Sequence, residues 1–221
     1  MKKVGFLVNP IAGMGGRVGL KGTDGVLEEA LALGAKPIAS ERATEALASF
    51  ANTAAFRGVQ WFTCASPMGE GELTGLFGEA LGHEVVHRPS PSTTAADTRE
   101  AARELREKGI DILLFCGGDG TARDLLDVLD ADVPLLGIPA GVKMHSAVFA
   151  VNPVSAGQIL SRFLLEELPV GQAEVLDLDE NRRKSSTWMK TGIGRGSGRS
   201  ASTGLPRPPR SRTSCKWVSF S

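Results

Sequence analysis

The run Ile110-Asp111-Ile112-Leu113-Leu114-Phe115-Cys116, leading straight into Gly117-Gly118-Asp119-Gly120-Thr121, most constrains what this chain can fold into. A continuous apolar strand predicts a place at the centre of a parallel sheet covered on both faces. The glycine string predicts a tight passage from that strand into a helix, which Leu125, Leu126, Val128 and Leu129 continue. Other segments repeat the alternation. Residues 3–8, 59–64, 84–87 and 133–138 read as strands. Residues 26–34, 42–55, 70–81, 94–108 and 155–167 read as helices. Thr94, with Asp97 three places on, predicts a capping box at the start of 94–108. Strands alternating with helices imply right-handed βαβ units, and so an α/β, Rossmann-like parallel sheet flanked by helices. In such sheets ligands bind beyond the carboxyl ends of the strands.

Two glycine loops fall at that edge. In Gly117, Gly118 and Gly120, the absence of a side chain allows φ > 0 and close approach to a ligand. The helix that follows offers unpaired N–H groups and a positive dipole end to a phosphate. Asp119 sets a carboxylate among those groups, able to bind a metal ion or to accept the proton of an attacking hydroxyl. Thr121 can bond a phosphate oxygen or cap the helix. The plainer alternative is a tight strand–helix turn with a capping Asp. The loop Asn9 to Gly16, with Asn9, Gly13 and Gly15, follows the first strand and can cradle phosphate in the same way, or serve as a simple βα connection. After the strand at 133–138, Lys143 could meet a phosphate as a point charge, and His145 and Ser146 could contact a sugar or base. Arg123 and Asp124, one turn past the glycine string, either support the loop or bind substrate.

Composition excludes several classes. All 25 acidic residues lie before residue 181, whereas 10 of the 25 Lys and Arg lie after it. The chain is therefore an acidic body followed by a basic tail. No apolar run is long enough to span a bilayer. The apolar start at Val4–Val8 stops at Asn9-Pro10, too short for a signal peptide, so a first strand and a cytoplasmic location are expected. Cys64, Cys116 and Cys215 lack metal-ligand spacing, and the first two sit in apolar runs as expected for buried thiols. His83, His87 and His145 form no zinc pattern, so no protein metal site is expected.

Gly-Gly-Asp-Gly-Thr at 117–121 resembles the signature of the NAD kinase and diacylglycerol kinase superfamily. Asn9-Pro10 with Gly13 and Gly15 is similar to the first-strand loop of that group. The stretch Pro139-Ala140-Gly141-Val142-Lys143 lacks the Pro-x-Gly-Thr-x-Asn-Asp pattern usual in lipid kinases. It also lacks the Asn-x-Gly stretch of standard NAD kinases. Residues 117–124 together with 137–150 resemble instead the ATP-NAD kinase-like branch of bacteria and archaea that includes the acetoin-operon protein. The resemblance covers about residues 1–180 and implies phosphorylation of the adenosine ribose 2′-hydroxyl of NAD, with ATP or polyphosphate as donor and Mg²⁺ as cofactor. It implies Asp119 as the proton acceptor, and small-molecule nucleotides as partners. A homo-oligomer is expected of a full-length form, with no membrane and no nucleic acid partner. A lipid or other small-molecule kinase, and a nucleotide-binding regulatory protein without turnover, remain alternatives.

The same resemblance implies a β domain after the glycine-motif domain. Residues 1–170 are expected to form the α/β domain and 171–180 the start of the β domain, with residues 173–178 extended. From Asn181 to Ser221, Arg, Ser, Thr, Gly and Pro dominate, and no strand alternation is visible. This tail is expected to be poorly ordered. Either it is a basic arm for nucleic acid or an anionic surface, or the reading frame slips near residue 181 and the β domain is truncated or replaced. The abrupt loss of acids where that domain should begin favours the second.

Overall fold

In the computed structural model, the residues described are 1–20, 27–78, 81–129, 133–141, 144–168, 170–174 and 214–218. Five strands run parallel: β1 (Lys2–Val8), β2 (Val59–Cys64), β3 (His83–His87), β4 (Ile112–Gly117) and β5 (Leu135–Pro139). Their spatial order is β3-β2-β1-β4-β5. The fold is an α/β, Rossmann-like sheet flanked by helices. The apolar strand is central, as its composition requires: every residue of β4 is buried.

Side-chain alternation along β4 divides the core in two. Ile112, Leu114 and Cys116 join one face, together with Val4, Phe6, Val8 and Trp61. That face is covered by α3 (Ala39–Ala51) and α7 (Pro153–Leu164). Leu113 and Phe115 join the other face, covered by α5 (Ala95–Glu107) and α6 (Asp119–Leu126). The short helices α1 (Met14–Arg17) and α2 (Leu27–Ala32) precede α3, and α4 (Glu70–Phe77) links β2 to β3. Trp61 takes Phe6 and Phe50 edge-on at 6.2 and 5.8 Å, which fixes α3 against the sheet. Such aromatic pairs contribute about 0.5–1.5 kcal/mol each beyond area burial. Gly157 of α7 lies against the Ala46 carbonyl and the Phe50 N–H, so the two helices approach at backbone distance.

Several elements differ from the sequence reading at their ends. The helix expected at 42–55 starts earlier, at Ala39, and gives way to a 3₁₀ turn at Ala54–Gly58. The helix expected from 155 starts at Pro153, because Asn152 caps it by accepting the Ser155 N–H at 2.8 Å. That expected at 70–81 ends at Phe77, with Gly78 as its cap. Thr94 and Asp97 do form the expected capping box. Beyond β5 the sheet continues through β7 (Ser214–Val218) to β6 (Val170–Glu174), which pair with each other antiparallel. The segment 214–218 lies in the basic tail, where no strand was expected. Five residues are too few for alternation to show among flanking Arg, Ser and Pro. The expected extended stretch 173–178 is described only to residue 174, and the expectation of poor order over 181–221 lies outside the described residues apart from 214–218. Cys64 and Cys116 are buried free thiols. Burial, with a smaller push from Glu104, moves the Cys64 thiol up to about 12.

Candidate functional site

The helical crossovers reverse sides between β1 and β4. The chain leaves β1 for α3 on one face and leaves β4 for α6 on the other. In such sheets a ligand-binding crevice is expected at this switch point, outside the carboxyl ends of β1 and β4. Both glycine loops stand there, and the loop after β5 closes one side.

Backbone contacts join the three loops. The Asn9 N–H donates to the Cys116 carbonyl at 2.9 Å, and the Ala140 N–H donates to the Gly117 carbonyl at 3.0 Å. Gly13 has φ +80° and sits against the Ala140 carbonyl, where a Cβ would collide. Thr121 is buried at 3% exposure. Its hydroxyl accepts from Asn9 Nδ2 at 2.9 Å and, at 3.4 Å, from the Gly118 N–H. Thr121 thus caps its own helix and holds the first loop to the glycine turn.

The glycine turn uses its freedom differently from expectation. None of Gly117, Gly118 and Gly120 adopts a positive φ. Gly118 is extended at φ −120°, ψ −174°, and α6 begins at Asp119, so Gly120 and Thr121 lie in its first turn. What is required at Gly117 is space: a Cβ would stand 2.6 Å from that of Thr121. The first turn of α6 consequently faces the crevice with the N–H groups that a helix start leaves without intrahelical partners.

Asp119 faces the loop after β5. Its carboxylate accepts from the backbone N–H of His145 at 3.0 Å and of Ser146 at 2.8 Å, and from the Ser146 hydroxyl. Phe149 explains why that loop comes back. Its ring packs on Phe115 at 5.4 Å and over Gly137. Val148 accepts the Gly137 N–H at 2.8 Å, and Gly137 accepts the Ala150 N–H at 2.9 Å. The returning strand of chain thereby delivers Ser146 to Asp119. His145 is exposed, and Ser146 is 4% exposed. Lys143 lies outside the described residues. Gly15 is buried in α1, beside the crevice loop. Asp124 points elsewhere: it is buried and pairs with Arg99 of α5 at 2.6 Å, joining α5 to α6. Arg123 is half-buried on the first turns of α6.

A cleft of about 380 Å³ is lined by Gly141, Met144, Ser146, Arg42 and Asn152, among others. Sequence reasoning missed the last two. Arg42 sits in a helical stretch where a cation ordinarily means a solvated face, and Asn152 stands before Pro153 as an ordinary cap. No local pattern marks either as lining a cleft.

A model of the ATP-NAD kinase N-terminal domain matches residues 4–168. The chain belongs to the ATP-NAD kinase family. The matched region contains both glycine loops, the β5 loop and α7. Among curated proteins and among solved structures nothing matches the chain. No helix of the described residues is long and apolar enough to cross a membrane. Among the same residues, no three His, Cys, Asp or Glu converge as a metal-binding group. Mg²⁺ usually keeps several waters and binds through one or two carboxylates plus substrate phosphates. The donors here, one carboxylate at a helix N-terminus, suit an ion carried mainly by nucleotide phosphates.

Proposed function

We propose that the chain is a phosphotransferase acting on NAD, with ATP or polyphosphate as donor and NADP as product. The observation that carries this reading is Asp119, set at the start of α6 with its carboxylate held by the loop after β5. The first-turn N–H groups of α6 meet phosphate oxygens, and the loops at Asn9–Gly16 and 140–146 wall the nucleotide in. Asp119 exchanges its Ser146 hydroxyl for the ribose hydroxyl and takes its proton as that oxygen bonds to the terminal phosphorus of the donor, while the bond from that phosphorus to its bridging oxygen breaks and ADP, or the shortened polyphosphate, leaves. Mg²⁺ brought with ATP offsets the charge of the phosphates. Little covalent chemistry is asked of the protein; positioning and electrostatics supply the rate. Membrane and nucleic acid have no part in this reading, in which the protein works in the cytoplasm as a homo-oligomer.

A second reading is nucleotide binding without turnover. It is favoured by the satisfaction of Asp119: three donors already occupy the carboxylate. The two are separated by incubating the purified chain with NAD, ATP and Mg²⁺ and measuring NADP. The kinase reading expects NADP from the wild type and a fall of about 10²–10⁴ in turnover for Asp119→Asn. Calorimetric binding of ATP or NAD with no NADP formed would favour the second reading. Undiminished turnover in Asp119→Asn would remove Asp119 from the role of base.

A further inference from the structure

The cleft lined by Ser146 is lined also by Arg42, the one charged side chain among its described lining residues. Arg42 stands in the first turn of α3, where the helix dipole disfavours a cation. Its guanidinium touches Glu45 at 3.4 Å, an exposed contact on the same helix that engages one of its five donors. Such a pair contributes little, so it does not account for a cation turned into a cleft. The charge of Arg42 is also felt at Cys116, the residue before the glycine turn. There burial pushes the thiol up most, Glu72 adds to that push, and Arg42 opposes it to a smaller extent. Asn152, which lines the same cleft, uses its Oδ1 on the Ser155 N–H, which leaves its amide N–H groups as donors. The cleft therefore brings together Ser146, which holds Asp119, with a guanidinium and an amide.

We propose that Arg42 anchors a phosphate group of the nucleotide in this cleft and makes the chain select phosphorylated over unphosphorylated adenosine ligands. The proposal rests on reading the crevice as a nucleotide site. Only Arg's planar fork binds two phosphate oxygens at once, so Lys replaces it incompletely.

Calorimetric titration of the wild type, Arg42→Gln and Arg42→Lys with ATP, tripolyphosphate and adenosine tests it. Expected is a loss of about 10- to 100-fold for ATP and tripolyphosphate in Arg42→Gln. Arg42→Lys should lose less, and adenosine affinity should stay unchanged. The thermal midpoint of Arg42→Gln should equal that of the wild type, since the side chain is 44% exposed. ATP affinity unchanged in Arg42→Gln would overturn the proposal while leaving the nucleotide reading intact. An equal loss for ATP and adenosine would also overturn it, by showing a structural role. A wild type that binds none of the three probes would overturn the nucleotide reading and this proposal together.

Discussion

Thr121 and Gly13 do their work by what they hold rather than by what they could touch in a ligand. The Thr121 hydroxyl ties Asn9 to the glycine turn. Gly13 lets the first loop pass beneath the Ala140 carbonyl in a left-handed conformation. Any other residue at Gly13 meets two penalties, one from φ and one from the collision. The conformational penalty alone is about 1–2 kcal/mol. Gly13→Ala is therefore expected to lower stability by at least that much, read as a reduced urea midpoint, and to weaken ATP binding because the loops after β1 and β5 separate. A stability equal to that of the wild type would mean that the loop relaxes without cost. Asp124 shows the opposite economy. It lies five residues after Asp119 in a motif-rich stretch, yet its carboxylate faces Arg99 and serves helix packing.

At the scale of elements, α5 is the best-defined local unit. Thr94 donates both its N–H and its hydroxyl to Asp97 at 2.8 Å, and Ser90 adds its own N–H at 2.8 Å and its hydroxyl. Burial pushes the Asp97 carboxyl up, but these donors together outweigh it and hold it well below the usual carboxylate range. A folded-state value below the unfolded one contributes stability that is present above the unfolded value, about 3.9. That contribution disappears as pH falls below it toward the folded value. Asp97→Asn should cost about 1–3 kcal/mol at pH 7. The gap between it and the wild type should narrow as pH falls below about 4. Urea unfolding of both proteins across that range is the check, and a gap independent of pH would remove the charged cap as its cause. The cap was legible in the sequence because its partners are three residues apart. The early start of α3 at Ala39 was not, since no capping residue marks it and Ala39 is buried against the sheet, where the Cys116 thiol of a distant strand reaches its carbonyl at 3.2 Å.

For the molecule as a whole, the reversal of crossovers between β1 and β4 is the basis for the site proposed above. A ligand bound there bridges loops from three strands and is absent from the unfolded chain, so it should stabilise the whole sheet. ATP at about 100 times its dissociation constant should add about 2.7 kcal/mol. A thermal midpoint that rises with ATP concentration is the expected readout, and no rise at saturating ATP would count against a site in the crevice. The residues alone determined much of this. The apolar run at 110–116 required a covered central strand, the alternation of strands and helices required a parallel sheet, and the glycine strings fell at the carboxyl edge of that sheet. Periodicity and turn chemistry are local, so they survive in one dimension. Only the tertiary structure decided that Thr121 faces Asn9, that Asp124 turns to Arg99, that Ser146 returns to Asp119 and that Arg42 and Asn152 line a cleft. Each of these joins residues from separate elements, and their distances follow from how α3, α6 and α7 pack on the two faces of one sheet.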